Sequence, residues 1–189
     1  FFDWSALHCS NAGTFGEAYR KLEPAAIWDM DKRTSWNTHY KAIYLTNFLH
    51  ENQFRFKNIS QERIDFWLAQ ADFVKALMYF RLPQDWGEAV VAPSTEDASQ
   101  QAKSPINTIL TEAIQAAEAA LILPTFDKLT NAQGNNINSR QYASLGTVHT
   151  LLANIYAWMG GLYDKEEYWK KAEASASLVI EGKVGFYDL

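Results

Sequence analysis

The stretch AQADFVKALMYFRLPQDWGEAVV, residues 69–91, joins a long helix-forming run to a cluster of helix breakers. Its apolar residues fall at helical intervals on two sides. Ala69, Phe73, Ala76 and Phe80 make one stripe; Ala71, Val74 and Met78, extended upstream by Ile64 and Trp67, make another. A helix apolar along two faces must be covered on two sides, the position of an inner helix in a layered helical array. Ser60 supplies an N-cap. Pro83, Trp86 and Gly87 end the helix near Leu82, and the Trp86-Gly87 turn opens a surface loop. These aromatics are core residues first and ligand contacts second.

The same spacing recurs along the chain. Trp36, Tyr40, Ile43 and Asn47 share one face of a helix between Thr34 and Asn52, with Tyr44 and Phe48 beside them. Ser104 and Pro105 start a third helix, which Ile106, Ile109, Leu110, Ala113, Ala117, Ala120 and Leu121 carry to Pro124. A fourth runs from about Arg140 to Met159, with Leu145, His149, Leu152 and Tyr156 on one face and Gly160-Gly161 as its end. A fifth follows Asp164, with Glu167 as capping-box partner and Tyr168, Ala172, Ala176 and Val179 as its stripe before Gly182. No segment alternates like a strand, so the fold class is all-α. The last two helices carry small and large residues in the order of a tetratricopeptide unit. Their connection, about Leu162 to Tyr168, reads as too long for that repeat, which makes the pair a degenerate copy. Two further connections, Pro83–Lys103 and Pro124–Ser139, have the length of functional or mobile loops. The chain reads as a single helical-repeat domain over 1–189, and its irregular, aromatic-rich residues 1–33 are expected to pack on the helices.

Composition narrows the function. The net charge of −5 and the absence of any basic run longer than two residues argue against nucleic acid. No apolar run exceeds five residues, against about 20 for a bilayer-spanning helix. Cys9 stands alone, so no internal disulfide forms. No His-Glu-x-x-His, nucleophile elbow or glycine-rich phosphate loop is present, which sets aside a catalytic role, a cofactor and a metal site. His149 lies in an apolar face and reads as a hydrogen-bonded core histidine; His39 and His50 read as solvated. Glu166 and Glu167 suit a helix start without catalysis. Asn47, an amide inside an aromatic stripe, needs buried partners and reads as a bridge to backbone.

With these motifs in place, the chain resembles the SusD/RagB-like outer-membrane lipoproteins that capture nutrients, usually glycans, for a TonB-dependent transporter. Residues 69–91 look like that family's helix of small and aromatic residues with its Trp/Tyr-Gly turn. WNTHYKAIYLTNFL (36–49), SPINTILTEAIQAAEAALILP (104–124) and the segment from Ser144 to Leu189 follow in family order. Val90 departs from the pattern, where the family commonly has proline. Cys9 is no lipid-anchor cysteine, because His8 precedes it where a small residue is required. Family members continue for hundreds of residues past the point matching Leu189, so the chain is expected to be an internal piece of a longer protein. The resemblance implies a tetratricopeptide-like scaffold at the cell surface, anchored by a lipid outside this segment. It also implies a SusC-like TonB-dependent transporter and an oligosaccharide or polysaccharide as partners. The alternative is a helical-repeat adaptor that binds only protein.

No binding motif carries over residue by residue, so the ligand residues come from chemistry. Sugars present flat C–H faces ringed by hydroxyls, and a receptor meets them with an aromatic platform beside carboxylates, amides and arginine. Trp28-Asp29-Met30-Asp31-Lys32-Arg33 has that mixture: Trp28 to stack, Asp29 and Arg33 to bond hydroxyls.

Overall fold

A computed structural model describes residues 36–187 apart from 98, 132 and 138–140. Five α-helices carry the described residues: α1 (Asn37–Glu51), α2 (Gln61–Trp86), α3 (Ile106–Ala119), α4 (Leu145–Tyr163) and α5 (Glu166–Ile180). Extended backbone contributes only two isolated bridges among the described residues, Ala89 with Ser104 and Thr130 with Asn136. The all-α reading holds.

α2 begins where expected, with the Ser60 side chain accepting from the Arg63 amide. It does not stop near Leu82. The helix continues through Pro83 to Trp86 and ends at Gly87, whose φ of 72° suits a residue without Cβ. Pro83 has no N–H to donate to the ladder, but its carbonyl accepts the Gly87 amide at 3.1 Å, so the helix runs one turn beyond it. The stripe of Ala69, Ala76 and Phe80 is buried and Phe73 is half-buried. The second stripe is less covered: Ile64 is buried, Trp67, Ala71 and Met78 are half-buried and Val74 is exposed. Tyr79, between the two stripes, is fully buried.

α3 turns back along α2 and lays Ile109, Leu110, Ala113 and Ala117 into the core, followed by a short 3-10 turn that buries Ala120. Its start is shifted by one residue from expectation. Pro105, with extended backbone, takes the N-cap place, and Ser104 pairs with Ala89 instead of capping.

α4 and α5 form the tightest pair. α4 passes straight through Gly160 and Gly161 and is closed by Asp164 in the left-handed region (φ 50°), so only Asp164 and Lys165 separate the helices. The supposed long connection is a two-residue turn, and the pair is a regular αα-hairpin of tetratricopeptide type. The glycines serve approach rather than termination. A Cβ on Gly160 would lie 2.7 Å from the Trp169 ring, so glycine is what lets the indole lie against α4. Asp164 and Glu167 make no capping box; Lys165 is the N-cap residue of α5. A box forms instead at α4, where the Ser144 amide donates to Thr147 Oγ1 at 3.3 Å. Val148, Leu151, Leu152, Ile155, Tyr156 and Met159 fill the centre.

Candidate functional site

The connection from Glu88 to Ser104 is not a free loop. Its first half runs extended over α1 and α2, and side chains pin its backbone at every second residue. Tyr40 Oη donates to the Val90 carbonyl and accepts the Val90 amide, both at 2.8 Å. The Ala92 amide donates to Tyr79 Oη at 3.0 Å, and the Ala92 carbonyl accepts from Asn47 Nδ2 at 2.8 Å. Lys75 Nζ donates to Asn47 Oδ1 at 2.8 Å, so the buried amide is satisfied on both sides. Farther out, the Glu51 carboxylate accepts from the Ser94 hydroxyl and from the amide and hydroxyl of Thr95. Burial pushes the Tyr79 hydroxyl up to about 12 and raises that of Tyr40, so both stay protonated donors. Hydrogen bonds from Thr95 and Ser94 hold the Glu51 carboxyl below its ordinary range.

A second anchored connection lies before α4. Arg63 donates to the Thr130 carbonyl and hydroxyl, each at 3.2 Å, and to the Asn131 carbonyl, while its guanidinium lies 5.2 Å from the Phe66 ring centre. Gln70 grips Ala143 through both amide atoms, at 2.7 and 2.9 Å.

Aromatic side chains reach solvent on separate faces. On the outward side of α1, Tyr44 and Phe48 lie 6.2 Å apart and nearly parallel, at 14°. Phe66 and Tyr142 meet at 6.2 Å near the Arg63 anchor. Between α2 and α4 a cleft of about 420 Å³ is walled by Phe80 and Trp158, with Arg81, Gln84 and Asn154 lining it too. Phe80 meets the indole edge-on at 6.3 Å and 85°, which fixes its plane. Arg81 Nη1 donates to Gln84 Oε1 at 3.3 Å, and Asn154 Nδ2 donates to the Thr150 carbonyl at 2.8 Å. A wider groove of about 520 Å³ runs between α4 and α5, lined mainly by Ala153, Ala157, Trp169, Ala176, Val179 and Ile180.

Trp28, Asp29 and Arg33 lie outside the described residues, as do His8, Cys9 and the whole of residues 1–33. Asn47 bridges to backbone, as its place in an aromatic stripe predicts. His149 is half-buried, and burial lowers its pKa, but its buried Nδ1 lacks the hydrogen-bond partner expected of a core histidine. His39 and His50 are not simply solvated. His39 packs edge-on against Trp86 at 5.1 Å and burial lowers its pKa, whereas His50 Nε2 meets Asp72 Oδ1 at 2.7 Å. Both lie on the side of α1 that faces α2, which local spacing alone does not distinguish. Among the described residues no group of three or more His, Cys, Asp or Glu side chains is placed to hold a metal ion.

Comparison with known proteins places this architecture. The family described as SusD-like, starch-binding and associating with the outer membrane, matches residues 10–127, more than half of the chain. A SusD homolog of Bacteroides thetaiotaomicron VPI-5482 superposes with a TM-score of 0.71 at 21% identity, over 87% of this chain and 31% of its own. A SusD-superfamily protein of Parabacteroides distasonis ATCC 8503 gives 0.70 at 21% identity, over 91% and 36%. A SusD-like carbohydrate-binding protein of Bacteroides fragilis NCTC 9343 gives 0.61 at 23% identity, over 79% and 27%. The chain thus spans about a third of the length of these structures. No curated protein matches it closely.

Proposed function

The chain belongs to the SusD-like family, and on that footing we propose that it is part of a non-catalytic, cell-surface glycan-binding protein that delivers oligosaccharide to a SusC-like, TonB-dependent outer-membrane transporter. The observation that carries this reading is the family match across residues 10–127 together with the shared helical fold. Carbohydrate binding by a relative of the same fold supports the ligand class. No helix among the described residues is long and apolar enough to cross a membrane, and attachment through a lipidated cysteine outside these residues accounts for a surface location.

Trp28, Asp29 and Arg33 remain the proposed sugar contacts, on chemistry: an indole for the C–H face, a carboxylate and a guanidinium for hydroxyls. The test is affinity electrophoresis of the full-length protein through gels containing soluble starch, laminarin, xylan or pectin. Retardation by at least one glycan is expected, and Trp28→Ala should weaken it at an unchanged melting temperature. Retardation by none overturns the glycan reading and favours a protein-only adaptor; unaltered retardation of Trp28→Ala removes Trp28 from the site.

A further inference from the structure

We infer that the cleft between α2 and α4 is a further saccharide contact, made by residues other than Trp28, Asp29 and Arg33. This rests on the glycan-binding reading and adds a place to it. The cleft joins three properties: a concave shape, an aromatic wall held in place and a polar rim. It is concave, with room for one or two sugar rings at about 420 Å³. One wall is a half-buried indole, Trp158, whose plane Phe80 fixes from the side. Its rim is polar and partly committed, which leaves defined valences. Gln84 Oε1 accepts from Arg81, which leaves its NH2 group as a donor; Asn154 Nδ2 donates to the Thr150 carbonyl, which leaves its oxygen as an acceptor. A donor and an acceptor flanking an aromatic wall match the neighbouring hydroxyls and C–H face of a pyranose.

The other aromatic surfaces differ in their lining or shape. The α4–α5 groove also holds an indole, Trp169, with Thr150, Asn154 and Glu173, but six of its ten lining residues are Ala, Val or Ile, which suits packing by apolar side chains. The Tyr44–Phe48 pair is a convex ridge on a helix, with Leu45 63% exposed beside it. Helix positions produce the cleft directly. Leu77, Phe80, Arg81 and Gln84 fall three, one and three residues apart on α2, and Leu151, Asn154 and Trp158 three and four apart on α4, so each set shares a face.

The test uses the full-length protein and the glycan that retards it in the electrophoresis above. Trp158→Ala and the double variant Gln84→Ala/Asn154→Ala are titrated beside Trp28→Ala by calorimetry, with melting temperatures. The double variant removes rim amides without opening the core, which keeps the test informative where Trp158→Ala fails to fold. The expected result is a loss of affinity of roughly tenfold for a buried aromatic contact and a smaller loss for the double variant. Wild-type binding with both cleft variants unaltered overturns the cleft while leaving the glycan reading intact. So does protection of Trp158 from oxidative footprinting in the sugar-free full-length protein, since another part of the chain then fills the cleft. A wild type that binds no glycan overturns both.

Discussion

The strap over α1 and α2 and the α4–α5 hairpin solve opposite problems. The strap, Glu88 to Thr95, has one isolated bridge, Ala89 to Ser104, so Tyr40, Asn47 and Tyr79 satisfy the backbone of residues 90 and 92 from outside, and Glu51 takes the Thr95 amide and the Ser94 hydroxyl. The hairpin satisfies its own backbone and is held by shape, small residues admitting large ones, as where Gly160 receives Trp169. An irregular segment buried against helices is therefore costly in polar side chains, whereas a regular pair is demanding in residue size. Polar removals should break the first and added methyl groups the second.

The largest effect is expected at Tyr79, which is both core and pin. Tyr79→Ala should cost about 3–5 kcal/mol, as for other buried aromatics cut to alanine. Tyr79→Phe keeps the ring and strands the Ala92 amide, which should cost about 1–3 kcal/mol. Urea unfolding of both variants separates volume from hydroxyl. A Tyr79→Phe variant as stable as the wild type would mean that the strap does not depend on the phenol.

The hairpin gives a paired measurement. Alanine at an open helical position gains roughly 0.5–1 kcal/mol over glycine, and Gly161, where a Cβ would stand 4.0 Å from Trp169, should show that gain. Gly160→Ala should instead lose about 1–2 kcal/mol net, because overpacking displaces the indole. The double variant Gly160→Ala/Trp169→Ala should behave as Gly161→Ala does relative to its own parent. If Gly160→Ala melts higher than the wild type, the close approach is not what that glycine is for.

The same contrast explains what could be read from the chain. Helix existence, the Ser60 cap, the small-residue faces of α3 and the tetratricopeptide order of α4 and α5 are local or periodic properties, and spacing reports them. Pro83 and Gly160-Gly161 were legible as residues but not as roles. Proline in a last turn and proline after a helix look alike, and glycine for an end looks like glycine for an approach until Trp169 is seen against it. Tyr79 escaped because it lies between the two stripes that spacing assigns to α2. The strap's pins connect residues 13 to 50 positions apart, beyond any periodic signal. Asn47 alone betrayed them, as an amide in an aromatic row. Val90 also gains a reason: its amide donates to Tyr40, which proline, common there in the family, could not do.

The smallest effect expected is local and depends on pH. Inner and outer halves of the strap are pinned by groups of different kinds, phenols and an amide at Val90 and Ala92, a carboxylate at Ser94 and Thr95. Glu51 has a folded pKa below its ordinary 4.5, because its bonds to Thr95 and Ser94 favour the charged form. Its contribution is therefore fully present above that ordinary value and is lost as pH falls through the lowered one. At neutral pH the Thr95 amide should be protected from hydrogen exchange, and the protection factor, corrected for the intrinsic rate, should fall on acidification as pH passes through the lowered pKa of Glu51. The Ala92 amide should keep its protection, since the phenol of Tyr79 titrates only near 12. Glu51→Ala should lower Thr95 protection at neutral pH and abolish its pH dependence with little change in melting temperature. Simultaneous loss of protection at Ala92 and Thr95 on acidification would mean that the strap opens as one unit, and that its two halves are not held independently.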